Sequence, residues 1–182
     1  MNETLNNIAN RYSCRAYTSE LPEKDLLDAI ALAAVQSPSG MNRQPWRIHV
    51  ITDKSLIEEL DNEGMQVLAQ AADESAYDRI MGRGGRLFYN APCMFLILKK
   101  AGSDTDCGIV SENIALAATS LGLGSVICGL AAVSFGGTNK ETLKQRVGFK
   151  QDWEFGLAVL VGYAQKEGKP HEADLSKIHY IQ

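Results

Sequence analysis

Apolar residues in EKDLLDAIALAAVQ fall at Leu26, Leu27, Ile30, Ala33 and Ala34, and this spacing predicts a helix with Pro22 in its first turn. SPSGMNRQP then interrupts the pattern with Pro, Ser, Gly and Asn, as a loop does. From Arg47 to Thr52 the period changes to two, which predicts a strand, and Asp53 is placed to cap a helix over KSLIEELDNEGMQVLAQAA. CMFLILKK is a short continuous apolar run of the kind that forms a buried strand. SDTDCGIVSENIALAATSLGLG predicts a long Ala-rich helix ended by glycines, with small residues at Ala115, Ala117, Ala118 and Ser120. Residues 138–147 predict a short amphipathic helix and WEFGLAVLVGYA a strong strand. Residues 2–10 form an opening helix, and the apolar end Ile178–Ile181 suits an edge strand. Residues 73–90 give no regular pattern. The interleaving of helices and strands predicts one α+β domain over residues 1–182, with a mixed sheet.

Composition narrows the function classes. The 182 residues are 45% hydrophobic and 22% charged, which supports a packed core. A net charge of −4 gives no basis for a nucleic-acid or anionic-membrane partner. MNETLNNIANRYSCR lacks a signal-peptide pattern and no apolar run is long enough to span a bilayer, so a cytoplasmic location is expected. Cys14, Cys93, Cys107 and Cys128 form no CxxC pair, and the three histidines have no metal-ligand spacing. Buried reduced thiols are expected, with no metal and no disulfide framework.

Three segments carry candidate chemistry. Arg11, Ser13 and Arg15 alternate after a helix, so an extended chain would aim all three to one side. Two guanidinium forks and a hydroxyl suit a phosphate monoester, although two solvated arginines at a helix end would give the same pattern. In Ser37–Trp46, two prolines stiffen a loop and Gly40 permits close approach to a ligand. Asn42 and Gln44 carry both donors and acceptors, which the pyrimidine edge of a flavin requires; they equally suit turn backbone. Gly122-Leu123-Gly124, followed by SVICG, is either a helix cap or a backbone-lined wall beside a flat cofactor.

In combination, RxSxR from Arg11, PSxxNxQPW from Pro38, an Ala-rich helix into GLG, and a late strand ending in VGY resemble the nitroreductase family, its shorter branch, from about Ile8 to Tyr163. The resemblance implies a nitroreductase-like α+β fold: a central mixed, mostly antiparallel sheet flanked by helices, in an intertwined homodimer with FMN at the interface. It implies that Arg11, Ser13 and Arg15, with Tyr12 in the same segment, hold the phosphate and ribityl chain. Pro38, Ser39, Gly40 and Asn42 of the other subunit would meet the ring, with Gln44 supporting their loop. Ile127, Cys128 and Gly129 would face the ring near N5. Family members carry further basic residues after the last core strand; here Lys169 and His171 stand there and the usual paired arginines are absent. The tail from about residue 165 would pack on the partner subunit.

The implied activity is FMN-dependent NAD(P)H oxidation by ping-pong hydride transfer, with nitroaromatics, quinones or similar flat small molecules as acceptors. The cofactor carries such chemistry, so no catalytic side chain is required. Acceptor choice is expected to depend on residues 65–90. The alternatives are a flavin-binding sensor or storage protein without reductase turnover, and a flavin-free structural domain. A Rossmann site is disfavoured because no G-x-G-x-x-G occurs.

Overall fold

A computed structural model describes residues 2–182. Its centre is β2 (Cys93–Lys99), buried along its whole length. Successive side chains of a strand point to opposite faces, so a strand apolar at every position needs cover on both sides. Met94, Leu96 and Leu98 enter one core, while Cys93, Phe95 and Ile97 enter another. Burial of each large side chain is worth roughly 1.5–3 kcal/mol.

β2 lies between β1 (Trp46–Ile51) and β4 (Glu154–Gly162), and β3 (Gly124–Cys128) flanks β4, giving the order β1-β2-β4-β3. All three pairings are antiparallel, with Phe95 opposite both Val50 and Val159. The sheet's mixed character comes from one parallel bridge, Ser13 to Ser125, where Cys14 N–H donates to the Ser125 carbonyl at 2.8 Å.

Helices cover both faces. α2 (Lys24–Val35) and α5 (Asp104–Ser120) bury Leu27, Ile30, Val110 and Ile114 against the second core. α3 (Lys54–Ala69), α6 (Lys140–Arg146) and a 3₁₀ segment at Gly129–Phe135 cover the first. Asp53 caps α3 as expected, accepting from the N–H groups of Ser55 and Leu56. α1 (Glu3–Asn10) buries none of its residues. No helix among the described residues is long and apolar enough to cross a membrane.

Three local features differ from, or add to, the pattern-based expectations. Residues 73–90 contain α4 (Ser75–Met81), closed by a turn in which Gly84 and Gly85 have φ of +104° and +68°. SVIC is a strand, not just the sequel to a helix cap. Ile178–Ile181 forms no strand within this chain: the tail is exposed, and its one regular element is a 3₁₀ turn at Leu175–Lys177.

Candidate functional site

The segment from Arg11 to Arg15 is extended and keeps the expected alternation. Cys14 is buried and Tyr12 packs against the same core, while Arg15 is exposed. The bridge to Ser125 fixes Ser13 beside β3. From there the two arginines diverge. Arg11 Nε lies 3.5 Å from Glu112 on α5, with the guanidinium mostly covered. Arg15 reaches toward the far end of β3 and shares a cavity of about 240 Å3 with Ile127, Cys128 and Gly129. Ile127 and Gly129 are exposed there and alternate with buried Val126 and Cys128. The fold thus joins two of the segments singled out from the sequence.

The third segment, Pro38–Gln44, does not line that cavity. It is anchored to α5: Asn113 Nδ2 donates to Ser37 Oγ at 2.9 Å, and Gly40 N–H donates to Asp106 at 3.2 Å. Ser39 Oγ accepts the Gln44 N–H at 2.9 Å, and the Gln44 amide donates to Asn42 Oδ1 at 3.1 Å. Met41, Asn42 and Gln44 all have φ near +50°, a region that costs most L-residues about 1–2 kcal/mol. Such a conformation, held on a surface loop with Asn42 exposed, is characteristic of a contact surface. Trp46, just beyond it, is core.

Lys169 is exposed. Its neighbour Gly168 lies against the ring of Tyr12, and Gln165 N–H donates to the Ala16 carbonyl at 2.9 Å. The start of the tail therefore returns to the Arg11–Arg15 segment, with Lys169 one residue beyond the contact with Tyr12.

The electrostatics favour a bound anion over a nucleophile. Arg15 has no carboxylate within ion-pair distance among the described residues; its one bond is a donation to the Ser13 carbonyl at 3.4 Å. Burial pushes the Cys128 thiol up, an effect that backbone donors at Ala131 and Leu130, and then Arg15, offset only in part. Cys14 is raised for the same first reason. Both stay protonated. No group of His, Cys, Asp and Glu among the described residues could hold a metal ion.

Sequence reasoning named neither Arg79 nor Arg83, which line the same cavity from the end of α4, nor Tyr89. Only their membership of the 65–90 stretch hinted at it. A larger cavity of about 490 Å3 lies elsewhere, lined by Tyr17, Leu21, Thr52, Ile57, Asp61 and Phe88 among others, and contains none of the residues singled out. Size alone would select it. Its two cations, Lys54 and Arg86, are each paired with a carboxylate, Glu58 and Asp61, whereas the smaller cavity is lined by arginines without an ion pair among the described residues.

The Arg15 fork and the exposed Ile127 and Gly129 at the end of β3 suit a flat heteroaromatic phosphate, while Arg11, Ser13 and the Asn42 amide lie outside that cavity.

Comparison with known proteins agrees. Residues 8–163 match the family model described as Nitroreductase family. A solved structure of a nitroreductase with bound FMN from Desulfitobacterium hafniense DCB-2 is 48% identical, covers 100% of both chains and superposes with a TM-score of 0.97. A nitroreductase with bound FMN from Bacteroides fragilis NCTC 9343 has a TM-score of 0.90 over 100% of both chains, but at 24% identity this is a likeness of fold. A protein of Archaeoglobus fulgidus, provisionally named NADH dehydrogenase/NAD(P)H nitroreductase, is 27% identical over 96% of this chain and 92% of its own.

Proposed function

Because the chain belongs to the nitroreductase family, we propose that it is an FMN-dependent NAD(P)H oxidoreductase acting on flat small-molecule electrophiles such as nitroaromatics or quinones. The observation that carries this reading is the meeting of Arg15 with Ile127, Cys128 and Gly129 in one cavity, registered by the Ser13–Ser125 bridge.

FMN, when bound, would supply the redox chemistry of an NAD(P)H-dependent reduction. Arg11, Ser13, Arg15 and Lys169 hold the phosphate and ribityl chain, with Tyr12 fixing the tail that brings Lys169. Ile127, Cys128 and Gly129 form a wall beside the ring. Pro38, Ser39, Gly40 and Asn42 contact the ring from a second subunit, with Gln44 bracing Asn42. A guanidinium at the ring's polar edge, from Arg15 or Arg43, favours negative charge there. No side-chain base or nucleophile is needed, consistent with thiols kept neutral.

The working form is a homodimer in the cytoplasm, with the tail from about residue 165 packed on the partner. Its support is apolar surface without cover in one chain: Ile178 is 56% exposed, Leu175 73% and Ile181 99%. β1 also ends the sheet with an open edge, which an isolated chain would expose to pairing.

The test is direct. Purified protein should be yellow, retain FMN and oxidise NADH or NADPH with a nitroaromatic or quinone acceptor. Sedimentation should give a dimer, and removing residues 165–182 should abolish both dimer and flavin. Flavin binding without turnover on any acceptor would make it a binding protein, and a colourless protein that takes up no FMN would refute the reading.

A further inference from the structure

The loop from Ser37 to Gln44 is fixed by polar bonds and hardly at all by packing. Met41 is 84% exposed, and a β-carbon built on Gly40 would meet nothing within 4 Å. The bonds inside the loop, from Gln44 to Ser39 and to Asn42, set its shape but not its place on the molecule. Among the described residues, two side chains of α5 supply its hydrogen bonds to an element not adjacent in sequence. Asn113 Nδ2 donates to Ser37 Oγ at 2.9 Å and to the Ala33 carbonyl at 3.3 Å, so it joins the loop's first residue to the end of α2, where carbonyls lack helical partners. Asp106 Oδ1 accepts the Gly40 N–H at 3.2 Å. Residues seven apart on a helix lie within about 20° of one direction, so Asp106 and Asn113 share a face of α5. Val110, between them, is buried in the core that α2 also enters. An acid in the first turn of a helix is favourable by itself, but that does not account for a bond to a residue 66 positions away. Between these anchors Met41, Asn42 and Gln44 keep positive φ, which persists only where the surroundings over-determine it.

We infer that Asn113 and Asp106 are positioning residues for the cofactor ring: through Ser37 and Gly40 they seat the loop that presents Asn42. This rests on the reading above, in which that loop meets the ring. Gln44 donates to the Asn42 oxygen, which leaves the Asn42 N–H groups as the donors for an outside acceptor such as a ring carbonyl. Neither Asn113 nor Asp106 touches the ring in this role. They act on it only by deciding where Asn42 stands, so their loss is felt as a change in how evenly the site holds the oxidised and reduced flavin.

The experiment uses full-length protein, native and carrying N113A, D106A or both, with two readouts. In flavin-free protein, the rate of trypsin cleavage after Arg43 reports the loop, and cleavage after Arg83, in the exposed turn beyond α4, reports general loosening. N113A/D106A should be cut after Arg43 at least tenfold faster than native, with the Arg83 rate unchanged within twofold. On FMN-saturated protein, the midpoint potential of the double variant should move by about 30 mV or more, which for a two-electron couple is a tenfold change in relative affinity for the two redox states. D106N keeps an acceptor for the Gly40 N–H and should stay within twofold of native in the cleavage rate. If N113A does not fold, S37A removes the same bond from the loop side and replaces it in the series. Equal cleavage after Arg43 in native protein and double variant would overturn the inference. Faster cleavage with an unchanged potential would overturn it too, leaving Asn113 and Asp106 as anchors of a loop that the ring does not feel. Native protein that takes up no FMN would overturn the oxidoreductase reading and this role with it, whatever the cleavage rates.

Discussion

Gly168 lies so close to Tyr12 that a β-carbon built on it would overlap the ring edge at Cε2 and Cδ2. This contact ties the first residues after the last strand to the Arg11–Arg15 segment, and Lys169 follows immediately. Gly168→Ala should push the tail off Tyr12 and weaken FMN at least tenfold, and any loss of thermal stability should come from the dimer contact, since the tail is exposed within one chain. Equilibrium dialysis with FMN and a melting curve check both parts; unchanged affinity would separate Lys169 from the site.

Arg11 has its Nε side engaged by Glu112, which orients the fork and leaves the terminal nitrogens for an anion. Replacing Arg11 by Ala should cost FMN about 1.5–3 kcal/mol, the worth of a charge-assisted bond, and riboflavin much less. Paired titrations with the two flavins decide it. Equal weakening of both would remove Arg11 from the phosphate.

Asn42 sits at φ +53°, so Asn42→Ala would confound loss of the amide with backbone strain. Asn42→Gly removes the amide and tolerates the conformation. On fully FMN-saturated protein it should shift the flavin midpoint potential and slow single-turnover reduction, since about 1.4 kcal/mol of unequal contact changes a population tenfold. If potential and rate both stay put, Asn42 is a loop residue.

Asp61 is 3% exposed, with Oδ2 accepting the Phe88 N–H at 2.8 Å and Oδ1 without a hydrogen-bond partner in the chain. Burial raises its carboxyl above the ordinary value, against the opposing pull of the Phe88 N–H and of Arg86 at 3.8 Å. The folded state thus binds the proton more tightly than the unfolded chain. The resulting stabilisation is complete below the unfolded carboxylate range and is lost as pH rises through the raised folded value. Asp61→Asn keeps an acceptor for Phe88 and removes the buried charge. At pH 8 it should melt about 2–4 °C higher, the shift that about 1 kcal/mol makes at this chain length, and the gap should close near the unfolded carboxylate range. A lower melting temperature at pH 8 would mean that the Arg86 pair outweighs desolvation.

The thiols should be silent. Burial pushes Cys93 up to about 12 and Cys107 to about 11, and raises Cys14 and Cys128. A thiol-exchange reagent at pH 8 should react with none of the four until denaturant is added. Rapid labelling of Cys128 in folded protein would show that the end of β3 opens.

The local code was legible wherever one segment's own pattern sufficed. The period-two run at β1, the unbroken apolar run at β2, the Asp53 cap and the glycine end of α5 each depend on neighbours in sequence, and the residues alone determined them. The RxSxR and PSxxNxQPW segments could likewise be named as candidate binding chemistry. Other features depend on contacts far apart in the chain. GSVIC is five residues of mixed character, and it becomes a strand because β4 offers its free edge on one side and Ser13 bridges it on the other. The apolar pattern of Ile178–Ile181 suits a strand equally well, yet no edge within the chain reaches it, so it forms none. Alternation placed Arg11 and Arg15 on one side of their segment but could not say that Glu112 draws one away while the end of β3 receives the other. Arg79 and Arg83 carried no signal beyond lying within residues 65–90, because a short helix and the turn after it read like any solvated surface. Tertiary packing alone sets three like charges around one cavity, since side-chain convergence is a property of the folded backbone and not of spacing along the chain.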